Sequence, residues 1–179
     1  MSKQKKLSLD SKAVKNRIVN EMFNKCIKSK PSPIYSKNFI KRIKLGNFDN
    51  DISKIKSADW IIEVVVEKLE IKQKVFDLIE KHRTPGTIVT SNTSGIPIKL
   101  MSKGRSDDFN KNFAITHFFN PPRYLNLFEV IPSLNCEKDL LNFLLKYGEK
   151  YLGKTSILAK DTPAFIGNRI GTFGIQSLF

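Results

Sequence analysis

The stretch Asp59-Trp60-Ile61-Ile62-Glu63-Val64-Val65-Val66 is an almost unbroken apolar run rich in β-branched side chains. That pattern belongs to a strand buried on both faces, as the strands of a parallel sheet are. Residues 70–82 follow as an amphipathic helix, with Ile71, Val75, Leu78 and Ile79 expected on its inner face. Pro85-Gly86 stops that helix, and residues 87–91 read as the next strand. A loop and a short helix around residues 97–102 lead to a strand at 113–118, and after Pro121-Pro122 comes another at 124–131. Residues 136–151 read as a helix with Leu140, Leu144 and Tyr147 along one stripe, 155–159 as a last strand, and Pro163 opens a terminal helix. Alternation of this kind predicts a doubly wound α/β sheet.

Upstream of the run, residues 10–28 predict a helix, because Val14, Ile18, Met22 and Cys26 recur every four positions. Asp10 or Ser11 suits its N-cap, and Pro31 and Pro33 end it. A short helix at 36–42 and a short strand at 43–45, closing on Gly46, are expected next. Cys26 and Cys136 both fall in helical segments with apolar neighbours, which predicts buried free thiols rather than a disulfide or metal site. The only histidines are His82 and His117, too few and too far apart for a metal-ligand cluster.

The chain has 179 residues and a formal net charge of +14. Its lysines are scattered rather than clustered, and neither RNA-recognition aromatics nor zinc-finger spacing is present, so a dedicated nucleic-acid role is not expected. Basic surface suits phosphate-rich ligands as well. No stretch approaches the roughly 20 apolar residues of a membrane span. The start Met1-Ser2-Lys3-Gln4-Lys5-Lys6 is charged but has no apolar segment behind it, so a cytoplasmic protein is expected.

Strand parity points to the chemistry. Phe113, Ile115 and His117 share one face of their strand, and Leu125, Leu127, Glu129 and Ile131 share one face of the next. A histidine and a carboxylate thus each stand on an apolar face, where a buried charge needs a partner. A His117–Glu129 pair is one resolution; separate satisfaction of each group is the other. Ser91-Asn92-Thr93-Ser94-Gly95 follows a strand, where α/β folds place ligand contacts, although plain turns have the same composition. Asn120, after Phe118-Phe119, is open to capping or to ligand binding.

From about residue 59 to residue 175 the chain resembles the NAD-binding domain of 3-hydroxyacyl-CoA dehydrogenases. The strings that carry the resemblance begin with Ala58-Asp59-Trp60-Ile61-Ile62-Glu63-Val64-Val65-Val66-Glu67 and Ser91-Asn92-Thr93-Ser94. Thr116-His117-Phe118-Phe119-Asn120-Pro121 and Leu127-Phe128-Glu129-Val130-Ile131-Pro132 follow. Lys160-Asp161-Thr162-Pro163-Ala164-Phe165-Ile166-Gly167-Asn168-Arg169 completes the set. All five stand in family order at about family separations. The variant Asn120-Pro121-Pro122-Arg123-Tyr124 is similar to the subgroup that carries a hydratase domain further along. The resemblance implies that His117 is the general base for the substrate's 3-hydroxyl and that Glu129 orients its imidazole. It implies that Ser94 and Asn168 position substrate and ring, and that Glu67, Lys72, Ser94 and Asn120 contact NAD. Acyl-CoA is the substrate it implies, in fatty acid β-oxidation, and no metal is implied.

The family's glycine loop, G-x-G-x-x-G, has no counterpart here, since the first glycine is Gly46. The resemblance therefore predicts a Rossmann-like sheet without its first strands. Residues 1–57 are read as a helical segment and linker from the first half, 58–162 as the rest of the NAD-binding domain, and 163–179 as the start of a helical C-terminal domain. Three readings follow: an inactive remnant, a fragment completed by a polypeptide that carries the glycine loop, or a basic binding module that reuses the fold without catalysis.

Overall fold

The computed structural model describes Ser8 and residues 10–178; the basic start at residues 1–6 lies outside them. The chain divides into two compact units, Met1–Ser53 and Lys54–Phe179.

In the first unit, the helix expected at 10–28 is broken into α1 (Lys12–Lys15) and α2 (Arg17–Lys28). Ser11 caps α1 by accepting the Val14 amide through its hydroxyl. The break falls at Asn16, which is buried and whose Oδ1 accepts the Asn47 side-chain amide at 2.5 Å. A 3-10 helix, Lys37–Arg42, stands where a short helix was expected, and α3 (Phe48–Asp51) was not foreseen. Residues 43–45 form no strand. The expected apolar stripe of α2 is not enclosed: Ile18 and Met22 are at least half exposed and Cys26 is exposed, contrary to the expectation of a buried thiol.

The second unit holds a five-stranded sheet of β1 (Trp60–Glu63), β2 (Ile88–Ser91), β3 (Phe113–Phe118), β4 (Leu127–Pro132) and β5 (Thr155–Leu158), in that order across the sheet. Strands β1, β2 and β3 run parallel, β4 runs antiparallel to β3, and β5 is parallel to β4. The helices are α4 (Leu69–His82), α5 (Ile98–Ser102), α6 (Asp107–Lys111), α7 (Lys138–Leu152) and α8 (Gly167–Gln176). One apolar cluster joins Val75, Phe76 and Ile79 of α4, Phe109 of α6 and Phe113, Ile115 and Ile131 of the sheet. The other joins Ala114, Phe128 and Val130 to Leu140 and Leu144 of α7. Helices therefore cover both faces, and odd-numbered strand residues face one cluster while even-numbered ones face the other.

Three details depart from the expected faces. The inner face of α4 is Lys72, Val75, Phe76 and Ile79, so Ile71 lies partly in water and a lysine stands on the apolar stripe. Gly148 takes the inner position of α7 one residue after Tyr147, because an added Cβ there would stand 2.7 Å from Phe128. Helix α8 starts at Gly167 rather than at Pro163, since Ala164 and Phe165 adopt left-handed backbone conformations, φ 63° and 50°. Polar groups inside the sheet are paired: the Trp60 indole N–H and the Thr116 hydroxyl both reach the Thr90 hydroxyl, at 2.9 and 2.8 Å.

Candidate active site

The reversal between β3 and β4 builds the site. Antiparallel register sets His117 directly opposite Glu129, and Ile115 opposite Ile131. Directly opposite residues put their side chains on the same face within contact reach. The His117 ring Nδ1 lies 2.6 Å from Glu129 Oε2, and both residues are buried. A carboxylate can only accept, so Nδ1 is the donor of this pair, and Nε2 is left for a second partner. Nε2 lies 3.2 Å from the Ser94 hydroxyl, within hydrogen-bond distance.

Glu129 is held from a second side. Its Oε1 accepts the backbone amides of Ile166 and Gly167 at 2.9 and 2.8 Å. These amides open the first turn of α8, where N–H groups lack helical partners. The left-handed residues Ala164 and Phe165 turn the chain into that position, and Phe165 is buried edge-on to the His117 ring at a centroid distance of 5.5 Å. Phe119 closes another side at 4.5 Å. Gly167 leaves no room for a side chain, because an added Cβ would stand 2.6 Å from Phe119 and 2.9 Å from Leu127.

Ser94 lies in the turn after β2, exposed apart from its contact with His117. Glu67 gathers this turn. One of its oxygens accepts the Thr93 hydroxyl and the amides of Ser94 (3.0 Å) and Gly95 (3.2 Å). Burial alone raises the Glu67 carboxyl, but the Thr93 hydroxyl, the Lys72 ammonium and the Ser94 amide outweigh it and hold the group below its ordinary value. Lys72 lies behind Glu67, 1% exposed, with its ammonium 3.0 Å from both oxygens of Glu63 and 3.3 Å from Glu67.

Asn120 is exposed just past β3, at a cis Asn120–Pro121 peptide. The loop it opens is fastened by Lys154, whose ammonium donates to the carbonyls of Pro122 and Leu125. Asn92 ties the turn after β2 to the end of β3 by accepting the Phe118 amide at 2.9 Å. Asn168 is half-buried in the first turn of α8, next to the Gly167 amide that holds Glu129. Among the described residues its side chain makes no hydrogen bond to His117 or Ser94. A concavity of about 460 Å³ adjoins the site through Phe165 and Ile166 and is otherwise lined by Leu158, Lys160, Arg169 and Ile170.

Sequence reasoning missed three contributors: Glu63, Thr93 and the paired amides of Ile166 and Gly167. Glu63 had a legible signal, because a carboxylate in a buried strand and a lysine at the 72, 75, 76, 79 stripe of the next helix require one another. The amides had none, since they depend on the left-handed turn before α8.

Among the described residues no group of histidine, cysteine or carboxylate side chains could hold a metal ion, and no helix is long and apolar enough to cross a membrane. Residues 4–162 match the family model described as 3-hydroxyacyl-CoA dehydrogenase, NAD binding domain. A probable 3-hydroxyacyl-CoA dehydrogenase of Bacillus subtilis is 51% identical over 172 residues, which are 96% of this chain and 22% of that protein. Another, of Deinococcus radiodurans, is 37% identical over 167 residues, 93% of this chain and 48% of that protein. The chain thus spans between about a fifth and a half of these relatives. The crystal structure of (S)-3-hydroxybutyryl-CoA dehydrogenase from Ralstonia eutropha superposes with a TM-score of 0.72 at 26% identity, covering 93% of this chain and 58% of that one. The match begins well before the motifs that start at Ala58, so residues of both compact units fall within it, and the chain belongs to the 3-hydroxyacyl-CoA dehydrogenase family through its NAD-binding domain.

Proposed function

We propose that these residues serve NAD-dependent oxidation of a 3-hydroxyacyl-CoA to the 3-oxoacyl-CoA, with His117 as general base. The observation that carries this reading is the His117 imidazole, held by Glu129 on one nitrogen and open to a hydroxyl on the other. Ser94 occupies the place of such a hydroxyl, 3.2 Å from Nε2. A substrate 3-hydroxyl there gives its proton to Nε2 as the C3 hydrogen departs as hydride. Glu129 keeps Nδ1 protonated and offsets the positive charge that forms on the ring. The buried, aromatic surroundings of Phe119 and Phe165 keep water from competing for Nε2.

NAD supplies the hydride acceptor when bound. The polar groups at the carboxyl ends of β2 and β3 fit its nicotinamide end: Ser94 and Asn120 are exposed there, and Glu67 holds the turn that carries Ser94. The backbone cradle for a pyrophosphate, a glycine-rich turn at a helix N-terminus, is not found in these 179 residues. A segment carrying a glycine loop, joined to these residues or supplied beside them, would provide that cradle.

The test is turnover of a 3-hydroxyacyl-CoA, followed by NADH absorbance. A polypeptide of these residues alone gives no turnover, because near-attack positioning is worth about 7–11 kcal/mol and the chain holds only one end of the cofactor. Mixed with or joined to a glycine-loop segment, it turns over, and His117→Ala abolishes the reaction. Turnover without the segment overturns the division of the NAD site. Turnover that survives His117→Ala overturns the base assignment. Tight binding of nucleic acid in physiological salt, indifferent to His117→Ala, favours a basic binding module instead.

A further inference from the structure

Lys72 is the most deeply buried cation described, and the chemistry at His117 does not use it. Its ammonium has three N–H donors. They meet Glu63 (3.0 Å to each oxygen), Glu67 (3.3 Å) and the Val65 carbonyl (3.4 Å). With 1% of its surface exposed, it has no donor left to offer a ligand. Glu63 is fixed in turn by the Ser91 hydroxyl at 2.6 Å and the Val65 amide at 2.6 Å. The lysine is therefore anchored to β1, to β2 through Glu63, and to its own helix α4.

Glu67 is different, because 45% of its side chain is exposed. Half in water, a glutamate side chain samples several rotamers unless something holds it. What holds it is Lys72 on one oxygen and the 93–95 turn on the other. That turn sets where the Ser94 hydroxyl stands, 3.2 Å from His117 Nε2. A continuous chain of polar contacts thus runs from a buried anchor to the reactive nitrogen.

We propose that Lys72 is a positioning residue: through Glu67 it fixes the 93–95 turn so that Ser94 meets His117. This rests on the reading of His117 as the base and gives Lys72 a role beyond the cofactor contact that the resemblance implies.

The two histidines allow a direct test by nitrogen-15 NMR of the full chain, with His82 as internal reference. Ser94→Ala gives the His117 Nε2 resonance without its hydroxyl partner. Lys72→Met alone strands Glu63, so it is paired with Glu63→Gln to leave no buried unpaired charge. In that double variant the Ser94 and Gly95 amides exchange about ten-fold faster, the effect of losing one ordinary hydrogen bond. The His117 Nε2 resonance moves toward the Ser94→Ala position, and His82 stays put. Glu67→Gln, partly exposed and mild for the fold, moves the same signals in the same direction. Glu80→Gln, which breaks an ion pair elsewhere on α4, moves neither. Wild-type signals in both folded variants overturn the proposal. If wild type and Ser94→Ala already coincide at Nε2, the Ser94–His117 contact itself fails, and the site reading falls before this one is reached.

Discussion

Glu129 stands directly opposite His117 across the β3–β4 ladder and divides its carboxylate between two tasks: one oxygen takes the imidazole, the other takes the amides of Ile166 and Gly167. The imidazole is thereby fixed to a sheet strand and to a helix start at once. Such double fixing is the usual way a reactive group is kept in productive geometry.

Replacing Glu129 with glutamine separates these tasks. The amide oxygen can still accept from Ile166 and Gly167, but its NH₂ then faces Nδ1 and forces the wrong tautomer. Turnover of the completed enzyme should fall by about 10²–10⁴, the worth of a positioned acid–base group. Stability in urea should fall by about 1–3 kcal/mol, the cost of disturbing a buried hydrogen-bonded group. Unchanged initial rates would show that the pair is structural.

Two glycines of α8 should respond in opposite ways to alanine. Gly167→Ala drives a methyl against Phe119 and Leu127 and should cost about 1–3 kcal/mol by overpacking, with the Gly167 amide displaced from Glu129. Gly171 has open space around its Cβ position, so Gly171→Ala should stabilise by up to about 1 kcal/mol through helix propensity. Urea midpoints of the two variants check the contrast.

Acid stability should depend on Glu67 and Glu80. Burial raises both carboxyls, yet hydrogen bonds from Thr93 and Ser94, and from Ser106 and Arg105, together with their cations, leave both below the ordinary value of 4.5. A carboxyl lowered by folding adds stability that is complete above its unfolded value and is lost as pH falls through its folded one. The urea midpoint should therefore hold steady above about pH 4.5 and decline below it. Glu67→Gln with Glu80→Gln should flatten that decline.

The thiols should react at different rates. Cys26 is exposed, whereas burial pushes the half-buried Cys136 up to about 11. At about pH 8 a maleimide or disulfide reagent should label Cys26 quickly and Cys136 far more slowly, since the thiolate is the reactive form. Equal rates, read by mass spectrometry of peptides, would contradict the burial of Cys136.

What the sequence disclosed follows from which interactions are periodic. The parity of Phe113, Ile115 and His117 against Leu127, Glu129 and Ile131 was visible because strand side chains alternate, and the structure pairs those faces in register. The strand expected at Ile43 to Leu45 does not form, and three residues with a lysine in the middle are too few for pattern alone to decide. Lys72 rather than Leu78 lies on the inner face of α4, and apolar periodicity does not register a lysine whose carboxylate partner lies on a strand nine residues earlier. The start of α8 was misplaced for a different reason. Proline at a helix start is a common signal, but two left-handed residues after Pro163 delay the helix until Gly167, and no residue type announces that geometry.

The clamp on Glu129 gives the fold and the chemistry different shortest lengths. All five strands are complete by Leu158, so a polypeptide cut soon afterwards keeps its sheet. It loses Phe165 from beside the imidazole and both amides from Glu129, and water would replace them. A protease nick between Lys160 and Gly167, or a neighbour that peels α8 away, would therefore loosen the His117–Glu129 pair while most of the secondary structure persisted. Loss of function in such a case would be invisible to circular dichroism and plain to any probe of the histidine ring.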